Sequence, residues 1–580
     1  MASRSRLAAL ARLLVLLTLV LGGTGCAGFL SSYDVAPNGM PRRDDALRRL
    51  LATGRADSAL VRVAPSGESA PEDELLRSLY SGILAHYLGD YGASSAALER
   101  AAELAEDRYT KRVSRATLSL ITNDKVLPYE PGEAERLLIH YYAALNYLRQ
   151  GDTDGAAVEA RRLGYLLERL ETPRDSAFAG WLRYFSGVIF EAAGERNDAE
   201  VAYRNARALL GAAVPEPGTP VRGEGAAVGV KAGRGEGGVG EVLVLVEEGF
   251  VAHRVEQSIV VPLYGFELDR LSKGEVSKRL EAAAAITARI LVHAVAQHSN
   301  DRRYFYSGRP RTIHVPALAR EEALRECAKD SSDKDAKKSS SRDPEPGESS
   351  IAFRGEPAAP VVLGGGAQAV GAGSPLRAHH AKRGARVECD LGSPYILRIA
   401  WPVFRRESAP SSSLRVYTTP VTAEPEVGRV AADLGAATSS AQVSEPIAPS
   451  YQLWTDLSEA VARDFDAERG AILARTILRG VAKLALTRGV ERAPGKDAED
   501  LGRVLGVIFN IGSALLEQAD TRSWQLLPDR LRLIRLELPP GEHAIALEVG
   551  GSRGATRRIE LGKVQVRAGG VTVLSTRYWN

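Results

Sequence analysis

Few residues of this 580-residue chain have the types and spacing for chemistry, and their order argues against most uses. Gly235, Gly237 and Gly240 spell GxGxxG, whose glycines let a backbone approach a pyrophosphate. That use needs a strand before the glycines and a helix after them. Here a glycine-rich run comes first and the strand-like EVLVLV follows. The stretch GVERAPGKD at 489–497 has the outline of a P-loop. Five residues separate its glycines, however, and Asp497 stands where a magnesium-binding hydroxyl belongs. The nine histidines form no HExxH; His293 and His298 are five apart and share no helix face, and His379 and His380 fall in a low-complexity stretch. There is no GxSxG, and Glu247 and Glu248 read as solvated carboxylates at a turn. The three cysteines, Cys26, Cys327 and Cys389, form no CxxC and no zinc-spaced cluster. The expectation is a non-catalytic protein with no cofactor and no metal.

Cys26 has a context of its own. Arg4, Arg6 and Arg12 precede an apolar run from Leu13 to Leu21, the pattern of a secretory signal. The run falls well short of the about 20 residues needed to span a bilayer. Gly23, Thr24 and Gly25 are small enough for a signal peptidase, and the site resembles the lipobox of bacterial lipoproteins. The resemblance implies cleavage of residues 1–25 and lipid attachment at Cys26. One departure is Gly23 where that motif usually has leucine, Leu21 lying two residues further back. An ordinary signal with an incidental cysteine is the alternative. Ala27 and Gly28 follow with no aspartate, which favours the outer membrane, facing the periplasm, in a cell with two membranes. Each acyl methylene buried contributes about 0.8 kcal/mol to such an anchor. An exported chain also permits Cys327 and Cys389 to pair.

The formal net charge is +3, and the three arginines of the leader account for all of it. A balanced mature chain gives no reason to expect nucleic acid as a partner.

Residues 26–74 are the segment next to the anchor, and 75–210 is strongly helical with self-similar stretches. SGILAHYLGDYGASSAALERAAEL, AALNYLRQGDTDGAAVEARRLGYL and SGVIFEAAGERNDAEVAYRNARAL each run helix, glycine turn, alanine-rich helix. They resemble the tetratricopeptide (TPR) repeat, in which small residues let two antiparallel helices approach. Gly187, Phe190, Gly194, Ala199, Tyr203 and Ala206 take the key places of the third copy. Ala144, Tyr147, Gly151, Ala156 and Ala160 serve the second; Gly82, Gly89, Leu98 and Ala101 serve the first, where Ser94 replaces an alanine. The turn glycines at 89, 151 and 194 are spaced wider than the repeat's 34 residues, and Arg183 holds the tryptophan position with Trp181 displaced. A helical bundle that imitates the repeat is the alternative. The TPR register places Tyr87, Tyr141, Arg149, Trp181, Tyr184 and Glu191 on the concave groove, where such arrays hold peptide segments; packing between neighbouring helices is the other use for these side chains.

Thr122–Leu163 and Glu517–His543 resemble two regions of a bacterial TPR-containing lipoprotein family of unassigned function. That resemblance implies a lipobox, a TPR-like helical region and a β-rich carboxyl half, and it carries over no catalytic residue. Residues 211–240 read as a Gly/Pro-rich linker, and 241–319 as two strands around a turn at Glu248–Gly249 followed by a helix over 276–297. The low-complexity insert 320–390 is expected to be loosely held. Residues 391–530 mix strands with helices over 456–487 and 498–518, Asp456 capping the first with Glu459 in capping-box spacing. Arg475, Arg479 and Lys483 form a basic stripe, read as the wet face of a core helix in preference to a lipid-binding one. Residues 531–580 read as a small antiparallel β-domain. The fold class is α+β multidomain. The function expected is a scaffold for another envelope protein or peptide segment, with an enzyme or activator of cell-wall synthesis acting through the β-rich half as the alternative.

Overall fold

The computed structural model describes residues 40–64, 74–110, 128–169, 175–214, 238–272, 275–298, 312–314, 323–328, 377–382, 385–390, 395–407, 413–421, 446–491, 518–550 and 556–579. Residues 1–39 with the expected leader and Cys26, Gly235, Gly237, the 215–237 part of the expected linker, most of the insert and all but the last residue of the expected helix over 498–518 lie outside them.

Among the described residues four helical hairpins come first: α1 (Arg42–Ala52) with α2 (Ala56–Val63), α3 (Glu74–Leu88) with α4 (Tyr91–Thr110), α5 (Glu133–Arg149) with α6 (Thr153–Glu168), and α7 (Ser176–Ala192) with α8 (Arg196–Leu210). Each turns on a left-handed glycine, Gly54, Gly89, Gly151 or Gly194, with φ between +74° and +80°. The following amide bonds back to a carbonyl five residues earlier, as in Asp90 N to Ala85 O (3.0 Å) and Glu195 N to Phe190 O (2.8 Å). Five residues beyond each glycine stands a buried small residue: Ala59, Ser94, Ala156 and Ala199. The helix crossings are matched in size. Gly82 faces the Leu98 side chain and Gly187 the Tyr203 ring, so that a Cβ on either would come within 2.7 Å of its neighbour. Ser94 donates to the Gly82 carbonyl at 2.7 Å and accepts from Asn146 at 2.9 Å, whose amide oxygen meets His86 Nδ1 at 2.7 Å. The serine in the alanine position thus ties the second hairpin to the third.

The β-rich half begins with β1 (Gly240–Glu248) and β2 (His253–Leu263). Gly249 turns between them at φ +58°, yet the two do not pair. Both edges of β1 are occupied, by β10 (Arg530–Leu538) antiparallel and β13 (Val571–Tyr578) parallel, so β2 enters another sheet. The first sheet runs β13-β1-β10-β9, with β9 at Tyr451–Asp456; the second runs β12-β11-β7-β8, from Thr556–Val566, Gly541–Gly550, Ser413–Pro420 and Pro446–Ile447. The strands of 531–580 therefore form no sheet of their own. They divide between two sheets shared with residues 240–248 and 413–456, one of them parallel to its neighbour.

Alternation along β1 makes a three-layer stack. Val242, Val244 and Val246 pack with Ile534, Leu536, Ile545 and Leu547 between the sheets, while Leu243 and Leu245 pack with Leu531 and Leu533 against the helices. Burial on both faces explains the unbroken apolar run VLVLV. A third sheet, β3-β2-β6 (Thr312–His314, His253–Leu263, Tyr395–Arg405), carries α9 (Gly265–Ser272), α10 (Val276–His298) and the 35-residue α11 (Leu457–Glu491). Asp456 caps α11, its Oδ1 accepting from Glu459 N at 2.9 Å. Two residues of the stripe on α11 are not wet: Arg479 is 1% exposed and Arg475 half-buried, the Lys483 side chain lying outside those described. Within the insert, β4 (Arg377–Lys382) and β5 (Ala385–Asp390) pair as a hairpin and 323–328 are helical. No described helix is long and apolar enough to cross a membrane.

Candidate functional site: a groove filled from within the chain

The concave face of the hairpin array meets β1, β9, β10, β13 and the extended stretch 518–529 that leads into β10. Helix-facing positions of the sheet are Glu241, Leu243, Leu245 and Glu247 on β1, with Arg535 on β10 opposite Leu243 and Arg577 on β13 beside Glu247. The centre is apolar and each end carries a paired charge.

At one end Tyr87 donates to Glu247, which is 3% exposed, and Tyr142 lies 3.2 Å from the Tyr87 oxygen. Arg577 reaches the Tyr87 hydroxyl at 2.5 Å and the carbonyls of Leu526 (2.6 Å) and Gly249 (2.9 Å), with its guanidinium over the Trp579 ring at 4.3 Å. Burial drives the Tyr87 phenol far above its ordinary range, the effect of Arg577 opposing this and that of Glu247 adding to it, so it stays a donor. At the other end Arg535 pairs with Glu241, donates to Glu191 at 2.9 Å, and approaches the hydroxyls of Tyr203 and Tyr184 at 3.2 and 3.3 Å. Burial pushes the Tyr184 phenol up to about 12. Tyr203 donates to Glu191 at 2.7 Å, and Tyr184 stacks obliquely on Tyr451 of β9 at 5.0 Å.

Past the Glu247 end, where Asp529 N bonds to Glu248 O at 2.7 Å and Val251 N to Leu527 O at 2.9 Å, lies the segment around Trp524. Glu135 uses one oxygen on Gly132 N (3.0 Å) and the Tyr129 hydroxyl (2.5 Å), closing the start of α5, and the other on Trp524 N at 2.7 Å. Tyr80 donates to Ser523 O at 3.0 Å, and Arg48 to Gln525 O at 2.9 Å and Val251 O at 2.7 Å. Trp524, Leu526 and Leu527 are at most 1% exposed. Burial lowers the Arg48 guanidinium to about 10, still protonated at neutral pH, with Glu407 the largest opposing influence. The first three hairpins thus each contribute a side chain to this segment, and the fourth meets the first sheet at Arg535 and Tyr451.

The six groove residues named from the sequence divide accordingly. Tyr87, Tyr141, Tyr184 and Glu191 face the groove and meet the sheet; burial and then Glu247 of β1 raise the Tyr141 phenol, which also lies 5.7 Å from Trp181. Trp181 is buried between helices with Phe185 stacked on its ring. Arg149 is exposed at a hairpin end, where it donates to Tyr91 at 3.0 Å. The groove is no open docking site, because residues 518–529 and the first sheet occupy it. Sequence reasoning missed Arg48, Tyr80, Glu135, Arg535 and Arg577; the usable signals were arginines on otherwise apolar strands and a glutamate three residues after Gly132. Among the described residues no group of three or more His, Cys, Asp or Glu is placed to hold a metal. Cys327 is disulfide-bonded. Cys389 lies on β5.

No family model matches the chain, and no curated protein matches it. Among solved structures, a Podosopora anserina protein described as a putative kinesin light chain with nearly identical TPR-like repeats is 13% identical, over 30% of this chain and 96% of its own, at a TM-score of 0.18. A single-residue variant of that protein aligns at 14% identity, covering 30% and 95%, with the same score. A score that low carries no argument of its own. The TPR-like reading of the helical half rests on its hairpins, turn glycines and size-matched crossings, and the chain as a whole is α+β.

Proposed function

We propose that this chain is a non-catalytic cell-envelope lipoprotein, held by acyl chains on Cys26 at the periplasmic face of the outer membrane, and that its helical array holds or organises another envelope protein. The carrying observation is the filled groove. The inward face of the hairpins is committed to the chain's own β-rich half, the first sheet and the stretches 249–252 and 518–529, which stiffens the array and leaves its outer helices and loops as contact surface. The lipobox-like Gly23-Thr24-Gly25-Cys26 supports the anchor. The bonded state of Cys327 supports folding outside a reducing cytosol, with Cys389 its proposed partner once Cys26 carries lipid.

Intact-mass analysis of the exported protein tests the anchor: cleavage before Cys26 with acylation is expected, and an unmodified thiol or retained leader contradicts it. Crosslinking of the full-length protein in intact cells tests the scaffold. A recurrent envelope partner crosslinked through outer-helix residues is expected; crosslinks confined to the chain itself contradict it. The 75–210 segment alone is unsuited to either experiment, because excision would bare its apolar inner face.

A further inference from the structure

The outer side of the array carries a trough of its own. Two adjoining depressions of about 370 and 260 Å³ share His140, Arg162 and Leu166. Val158 and Tyr165 of α6 line the larger, and they are 46% and 62% exposed, so the trough has an uncovered apolar edge. Charge is sorted between its two second helices: α4 brings Glu99, Glu103 and Glu106, and α6 brings Arg161 and Arg162, while Arg136 of α5 pairs with Glu106 at 3.0 Å. These groups have partners within the chain, Glu103 with Arg100 at 3.3 Å and Arg162 with Glu159 at 2.8 Å. The Glu103 and Arg162 side chains are nevertheless 64% and 50% exposed. Ion pairs so exposed are weak, and their charges remain able to engage a second surface.

A surface that is acidic on one helix and basic with apolar groups on its neighbour is complementary to itself. Both α4 and α6 are second helices of hairpins and run the same way. A two-fold axis across them would lay α4 on α4 and set glutamates against glutamates. An axis along them lays α4 of one copy on α6 of the other, at the same level. Glu99 and Glu103 then face Arg161 and Arg162, and Val158 and Tyr165 lose their exposure. We infer that this trough is the interface of a two-fold homodimer of the second kind. The inference goes beyond the scaffold reading and does not depend on the anchor.

Sedimentation velocity of the processed full-length protein in detergent, over a series of concentrations, tests it. A concentration-dependent dimer is expected. Glu103→Arg and Arg162→Glu each weaken it at least about tenfold, roughly 1.4 kcal/mol, and the double substitution recovers it because the charges are exchanged. Tyr165→Ser weakens it without a change of charge. Glu103 and Tyr165 are exposed, so thermal unfolding of those two variants should be unaltered; Arg162→Glu takes a partner from the buried Glu159 and lowers the midpoint, so its dimer is read at a temperature where circular dichroism shows the chain folded. A monomer at every concentration overturns the inference, as does a dimer indifferent to all three single changes or a double variant no tighter than the singles.

Discussion

Trp524→Ala removes the indole that the groove closes around. The side chain is fully buried, with Tyr142 at 5.8 Å and both neighbouring carbonyls held, by Tyr80 and Arg48. An indole buries about 150–250 Å². At about 25 cal/mol per Å² that is roughly 4–6 kcal/mol, less about 0.8 for the methyl that alanine retains. Measured Trp-to-Ala losses of about 3–5 kcal/mol agree, so a loss of about 4 kcal/mol is expected, a large fraction of an ordinary domain's about 5–15. Trp524→Phe keeps one ring but leaves a cavity, and should cost less, about 1–3 kcal/mol. Nε1 has no acceptor among the described residues, so no hydrogen bond is lost there. The assay is urea unfolding followed by helical circular dichroism and by tryptophan fluorescence. Because the segment bonds to the first three hairpins, the helical signal should shift along with the fluorescence. A loss under about 1 kcal/mol, or a helical transition that does not move, would refute the filled-groove reasoning.

Other outcomes follow from the same contacts. Gly187→Ala brings a Cβ to 2.6 Å from a Tyr203 ring that Glu191 and Arg535 hold in place, so overpacking of about 1–3 kcal/mol is expected in urea unfolding. Gly151→Ala meets open space but keeps a φ of +77°, and should cost about 1–2 kcal/mol from backbone conformation alone. Burial holds the His86 imidazole below its ordinary 6.5, with Glu247 and the Asn146 hydrogen bond opposing. The unfolded chain therefore takes up that proton first. Stability should be complete above about pH 6.5 and fall as pH drops below it. His86→Gln should flatten this slope in unfolding midpoints taken across pH, and an unchanged slope would contradict the assignment.

Local signals in the sequence were informative where contacts are local. The glycine turns at 89, 151 and 194, the small residue five places on, the Asp456 cap and the helix at 276–298 all depend on residues within a turn or two of one another. The first hairpin carried the same signature, Gly54 with Ala59, only 35 residues before Gly89, but its helices are short and polar and the pattern passed unnoticed. Tyr87, Tyr141, Tyr184 and Glu191 could be placed on the groove from register. What fills the groove could not, because β1 pairs with strands some 290 and 330 residues away and no periodicity encodes that choice. Arg479 misled for a related reason: a charge every four residues suggests solvent until the third sheet and α9 pack around its helix.

Amide hydrogen exchange at Trp524, Val251 and Asp529 tests the filled groove most directly. Their N–H groups donate to Glu135, to Leu527 O at 2.9 Å and to Glu248 O at 2.7 Å, bonds that exist only while the segment lies against the helices and the sheet. Exchange as slow as that of the buried helices, requiring global opening, is the expected result. Rapid exchange at these three amides while α5 and α7 stay protected would show a groove that stands open.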